Sequence, residues 1–198
     1  MTTPSATPSA WSFAGLRLHP NPEDGNLLVF GDLINTTGFP QELQAIRGTF
    51  YDAQGQVIAG EDSVTAYWPV DEVPVDGHMP FELTVESIQS AATFDLRVEA
   101  QIINEAPRHD FEFPTAIQSD EGEGYCLTGT ARNPGAPLQS SLTIVAVLFD
   151  SQEKVINFDS DEKTNIAGFE GGAGLSFRIC IAPPNEDVAR YELRAWGR

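Results

Sequence analysis

The sequence predicts an all-β fold organised as two tandem antiparallel β-sandwiches, and three observations carry that prediction. Apolar residues recur with the period of two that half-buried strands require. Leu27, Val29, Gly31 and Leu33 share one face, as do Phe81, Leu83 and Val85, and then Phe177, Ile179 and Ile181. Glycine and proline, 17 and 14 of 198 residues, are scattered along the chain, which favours short strands and tight turns over long helices. Finally, the chain repeats itself. "GTFYDAQGQVIAG" at 48–60 returns as "VAVLFDSQEKVIN" at 145–157, aligning Tyr51-Asp52 with Phe149-Asp150 and Val57-Ile58 with Val155-Ile156. Gly31 and Asn35 align with Gly129 and Asn133, the strand at Phe81 with that at Phe177, and Phe94-Asp-Leu-Arg97 with Tyr191-Glu-Leu-Arg194. A period of this length marks a duplicated folding unit.

The elements follow in order. Residues 1–10 contain a Thr/Pro/Ser/Ala tract that is extended and unable to pack a core. No signal peptide stands before it, and such tracts tether folded modules. The expectation is therefore a leader or membrane anchor preceding Met1 and an extracellular or cell-envelope location, with a native, cytoplasmic start as the alternative reading. The first sandwich is expected over 11–101. It opens on a strand carrying Trp11, Phe13, Leu16 and Leu18, turns at "NPEDGN" (21–26), and runs through the Leu27 strand to "NTTGFP" (35–40). The next strand closes in Tyr51-Asp52 and enters a hairpin at "DAQGQ" (52–56), and strands at Phe81 and Phe94 complete the unit. "IINEAPRHD" (102–110) is the expected linker. The second sandwich is expected over 111–198, with turns at "DEGEG" (120–124) and "NPGAP" (133–137) and Trp196 in the last strand.

Each unit carries one short signature. The first has Gly31-Asp-Leu-Ile-Asn35, Thr49-Phe-Tyr-Asp-Ala-Gln-Gly55, Gly77-His-Met-Pro-Phe81 and Phe94-Asp-Leu-Arg-Val98. The second has Gly129-Thr-Ala-Arg-Asn133, Val147-Leu-Phe-Asp150, Gly174-Leu-Ser-Phe177 and Tyr191-Glu-Leu-Arg194. These units resemble the FxLYD family of bacterial immunoglobulin-like domains, over roughly 27–99 and 125–196. The second departs from the pattern: "DSQEK" lacks the hairpin glycine, and the glycine before Phe177 is displaced. The resemblance implies immunoglobulin-like sandwiches, and a non-catalytic module of secreted or envelope proteins with no common ligand.

The signature residues read as makers of turns. Asp52 and Asp150 end strands, where a short carboxylate accepts hydrogen bonds from backbone N–H groups just ahead. Gly55 supplies the positive φ the hairpin needs; Glu153, in the matching place, must accept it at roughly 1 kcal/mol or change the loop. Asn35 and Asn133 read the same way. Asn35-Thr36-Thr37 matches the N-glycosylation pattern, which is taken as chance.

Composition narrows the function. With 29 acidic against 11 basic residues and a net charge of −18, both halves repel phosphate backbones and anionic lipid, so nucleic acid is excluded as a partner. No apolar run is long enough to span a bilayer. His19, His78 and His109 fall in loop-like or linker contexts, and no nucleophile, P-loop or dinucleotide motif accompanies them, so the chain reads as no enzyme and no cofactor is expected. A structural calcium is the one cation reading. Its candidates are Glu23-Asp24, Glu61-Asp62, Asp71-Glu72, Asp120-Glu121-Glu123 and Asp159-Asp161-Glu162, none in an EF-hand pattern.

Cys126 and Cys180 have no zinc-site spacing. Parity places both side chains outward on strands that can be neighbours, leaving two readings: free thiols, or a cross-strand bridge. A bridge closing a loop of about 54 residues stabilises by roughly 4 kcal/mol and points to an oxidising compartment. Tyr67-Trp68-Pro69 lies where the second repeat has only "IAGF". Its rings either cap the core or contact a partner. The reading is an extracellular or cell-surface structural and protein-interaction module, with sheet edges open to self-assembly. The alternative is carbohydrate binding through Tyr67 and Trp68.

Overall fold

The computed structural model describes residues 11–120, 124–182 and 187–198. The N-terminal tract and part of the 120–124 turn with its acidic cluster lie outside them. The fold is all-β, its sheets antiparallel and packed as in a sandwich. The first half contains β1 (Trp11–Asn21), β2 (Asn26–Asn35), β3 (Gln41–Tyr51), β4 (Val57–Ala59), β5 (Val64–Tyr67), β6 (Glu72–Val73), β7 (His78–Val85) and β8 (Thr93–Ile102). The second contains β9 (Glu112–Asp120), β10 (Tyr125–Arg132), β11 (Ser141–Phe149), β12 (Val155–Thr164), β13 (Gly174–Ile181) and β14 (Arg190–Gly197).

In the first half one sheet has the order β1-β2-β7-β5, the A-B-E-D order of an immunoglobulin-type sandwich. The facing sheet is built on β3, with β8 on one side and the short β4 and β6 on the other. The second half repeats the plan as β13-β10-β9 and β12-β11-β14. The repeats differ where their sequences do. After its hairpin the first chain leaves β3 and crosses to β7 as β5, whereas β12 follows β11 for nearly its whole length. The expected linker at 102–110 begins on the last residue of β8, and its Arg108 bridges Gly197 at the end of β14.

Burial explains a departure from period two. In "SLTIVAVLF" the residues from Ile144 to Phe149 are all buried, so β11 has no solvent face. Leu142, Ile144, Ala146 and Leu148 fill the core of the second repeat with Leu127, Phe177 and Ile179. Val145, Val147 and Phe149 point the other way and join a cluster with Leu27, Val29, Phe50 and Phe81 of the first repeat. A strand covered on both faces reads as a continuous apolar run. Complete burial of each such side chain contributes about 1.5–3 kcal/mol.

The first repeat meets this layer with the outer face of its β1-β2-β7-β5 sheet. On β2, Phe30 and Asp32 are each only 4% exposed although they point away from their own core. Tyr67 stacks on Phe158 with ring centroids 5.8 Å apart, and Arg17 Nη1 donates to the Ile156 carbonyl at 3.3 Å. β1 bulges at Gly15, whose φ of +57° and approach of a built Cβ to 3.0 Å from the Glu153 carbonyl leave no room for a side chain.

The signature residues stabilise corners. Asp52 Oδ1 accepts from the N–H groups of Gln54 and Gln56 at 2.9 and 2.8 Å, and Asp150 Oδ1 from those of Gln152 and Lys154 at 2.7 and 2.9 Å. Gly55 has φ +76° and Glu153 φ +60°, so the second hairpin keeps the geometry of the first despite its glutamate. The two asparagines do more than form turns. Both are fully buried. Asn35 Nδ2 donates to the carbonyls of Phe39, Val73 and Pro74, and Asn133 Nδ2 to those of Ala136 and Phe169. Each ties the turn after one strand to a distant loop.

This difference is measurable by urea unfolding. Asn35→Ala strands the buried carbonyls of Val73 and Pro74 and is expected to cost on the order of 2–4 kcal/mol, and Asn133→Ala, which removes two part-buried bonds of a buried amide, about 2 kcal/mol. Asp52→Ala and Asp150→Ala, at exposed corners, are expected to cost about 1 kcal/mol. A reversed ranking contradicts the assignment.

Candidate functional site

Stacking the repeats creates a cleft of about 510 Å³ between them. The bulge of β1, Asp32 of β2 and His78 at the start of β7 form one wall. The β11–β12 hairpin and β14 form the other, and Phe111 and Phe113 lie between.

A chain of ion pairs crosses the cleft. Asp32 Oδ1 accepts from Arg194 Nη1 at 2.7 Å, and its Oδ2 from Arg194 Nη2 at 3.0 Å, joining residues of different repeats. His78 Nδ1 lies 2.7 Å from the same Oδ2. Arg194 Nε donates to Glu192 at 2.8 Å. Arg190 bonds Glu192 and Glu153, and its guanidinium sits 3.8 Å from the centroid of the Phe149 ring. Glu153, held at positive φ, thus anchors the far end of the chain.

Burial and pairing oppose one another here, and pairing wins. Burial pushes the Asp32 carboxyl up, but the hydrogen bonds from His78 and Arg194 and the charge of Arg194 bring it below its ordinary value. Burial likewise pushes Glu192 up, and its bond to Arg194 brings it down. For Arg194, burial lowers the pKa while the bonds to Asp32 and Glu192 raise it further. Outside the buried pair, Glu153 is lowered chiefly by its bond to Arg190.

A histidine on a carboxylate is the base half of nucleophilic machinery, but the described lining of this cleft holds no serine, threonine or cysteine. Asp32 is also shared with a buried guanidinium, which holds it as a fixed anion. The arrangement therefore joins the repeats. The sequence did not reveal it, and its reading of the histidines needs correction: His19 lies within β1 and His78 on β7, because loop-like flanks do not prevent pairing at strand ends. Asp32 is separated from His78 by 46 positions and from Arg194 by 162. The one local sign was an acid interrupting the apolar run of β2.

The sequence-predicted contact residues lie elsewhere. Tyr67 is 52% exposed and stacked on Phe158. Trp68 is half-buried, packs against the first core, and donates its indole N–H to Asp71 at 2.8 Å. Cys126 and Cys180 form a disulfide between directly opposed residues of β10 and β13, with Cα atoms 4.1 Å apart. They lie on the face away from Leu127 and Ile179. Several of the described candidate calcium carboxylates are engaged: Asp24 with Asn21, Glu61 with Arg97, Asp71 with Trp68, Glu72 with Arg198, and Asp161 with Lys163. Among the described residues, no group of three or more His, Cys, Asp or Glu is placed to hold a metal ion.

No protein-family model matches the chain, and no curated protein matches it.

The ion pair gives a double-mutant prediction. Asp32→Ala leaves Arg194 charged and buried and is expected to cost about 3–5 kcal/mol, whereas Asp32→Leu with Arg194→Met recovers most of the loss. The pH dependence follows from the signs. Asp32 and Glu192 have folded pKa values below their ordinary 3.8 and 4.5, so their contribution is complete above those values and is lost as pH falls through the folded ones. Stability should therefore fall on acidification below about pH 4.5, less steeply in Asp32→Asn. Thermal unfolding at stepped pH checks both.

Reduction tests the disulfide. Its sequence separation of 54 corresponds to a loop-closure stabilisation of roughly 4 kcal/mol, so Cys126→Ser/Cys180→Ser should lower stability by up to that amount. Urea unfolding of the double variant, with thiol titration of the native protein, reads the effect.

Proposed function

We propose that the chain is a non-catalytic structural and protein-interaction module of the FxLYD type, working outside the cell or in the cell envelope. The observation that carries the reading is the use made of its polar signature residues. Asp52, Asp150, Asn35 and Asn133 all bind backbone, and six ionisable groups of the cleft, Asp32, His78, Glu153, Arg190, Glu192 and Arg194, pair with one another, Asp32 and Arg194 joining the repeats. Chemistry requires groups left poised for a substrate; here they fix the scaffold. The Cys126–Cys180 bridge supports an oxidising compartment. Among the described residues no helix is long and apolar enough to cross a membrane. Recognition then rests on loops and sheet edges carried by a rigid stack.

The competing class is a hydrolase using His78 and Asp32. Incubation of the intact chain with chromogenic ester, amide and glycoside substrates separates the two. The module reading predicts no turnover above buffer. Turnover abolished by His78→Ala contradicts it.

A further inference from the structure

We propose that the chain pairs with a second copy of itself along the free edge of β8, antiparallel and centred on Val98. The inference deepens the reading of the chain as an interaction module, and rests on it. β8 is a 10-residue strand bonded to β3, and no other described strand pairs with it. An unpaired edge of that length is a template for another chain, and native edges are usually blunted by proline, lysine, bulges or brevity.

Most other described edges are blunted in this way; the exceptions are β14 and the 8-residue β13, which is bonded only to β10 and has one N–H, that of Arg178, taken by Asp161. β1 carries Pro20 and the Gly15 bulge, β9 carries Pro114, and β4 and β5 have 3 and 4 residues. β12 carries Asp159, Asp161, Glu162 and Lys163, and its Asp161 takes the Arg178 N–H of β13. β14, the counterpart of β8, is bridged at Gly197 by Arg108. β8 contains neither proline nor lysine. Its inner row, Phe94, Leu96, Val98 and Ala100, is only partly buried against the first core, and Ile102 is 63% exposed.

Charge selects the partner and the register. Opposed residues of an antiparallel pair lie on the same face, so a two-fold pairing of β8 with itself must centre on a residue. Centring on Arg97 sets Arg97 against Arg97 and Asp95 against Glu99. Centring on Glu99 sets Glu99 against Glu99. Centring on Leu96 pairs Asp95 with Arg97 but leaves Ile102 uncovered. Centring on Val98 sets Arg97 against Glu99 twice and Asp95 against Gln101. On the inner face it covers Ile102 with Phe94 and Ala100 with Leu96. Like charges never meet, and the apolar rim of each copy is covered by the other. The net charge of −18 opposes association, so the dimer is expected only at raised protein concentration and at moderate salt.

Sedimentation velocity over increasing concentration at about 0.15 M salt tests this directly. The wild type should shift from monomer to dimer. Arg97→Glu alone and Glu99→Arg alone should each remain monomeric, with far-UV circular dichroism confirming the fold. An equimolar mixture of the two should dimerise, because every 97–99 contact regains opposite charges. Three results overturn the proposal: a monomeric wild type, single variants that dimerise as well as the wild type, or a mixture that stays monomeric. None of these touches the module reading, which falls to substrate turnover instead. A monomer that takes up a foreign strand along β8 likewise rejects self-pairing.

Discussion

Strand β11 lies between two cores. Leu142, Ile144 and Leu148 fill the second repeat, while Val145, Val147 and Phe149 close the outer face of the first. Exposing that second row to water would forfeit several kcal/mol of burial. It would also strip Asp32 and Arg194 of each other while leaving the repeats' own sheets intact. The other seam contacts, the Tyr67–Phe158 stack and the Arg17 bond to Ile156, follow from the same approach of layers.

This constraint accounts for what differs between the repeats. Asp32 of the first aligns with Thr130 of the second, and Arg194 of the second with Arg97 of the first. One pair of positions faces the seam, and their counterparts face outward, so matching positions of the two halves do different work. Arg97 is exposed and pairs with Glu61, whereas Arg194 is buried and holds Asp32. Glu153 tolerates a left-handed backbone where the first repeat has Gly55, and its carboxylate binds Arg190 at the rim of the cleft.

The strands and their corners were legible because the causes are local. Alternation of Phe81, Leu83 and Val85 and the glycines and asparagines between runs needed no knowledge of the other repeat. The parity that set Cys126 and Cys180 on one face is equally local, and they form the disulfide. The seam was not legible. Its parts, Asp32, His78, Arg194 and the second face of β11, are distant in sequence, and nothing in the local pattern says which outward face will be covered. The unbroken run "IVAVLF" was the available signal, since a strand with one wet face does not carry it. For Tyr67-Trp68 the sequence left core-capping and partner contact open, and Trp68 packs against the first core with its indole N–H on Asp71.

If the shared layer governs the molecule, the repeats lose structure together. Differential scanning calorimetry of the oxidised chain at neutral pH measures this most directly. The account predicts one transition whose calorimetric and van't Hoff enthalpies agree. Two resolved transitions, one for each repeat, would contradict it.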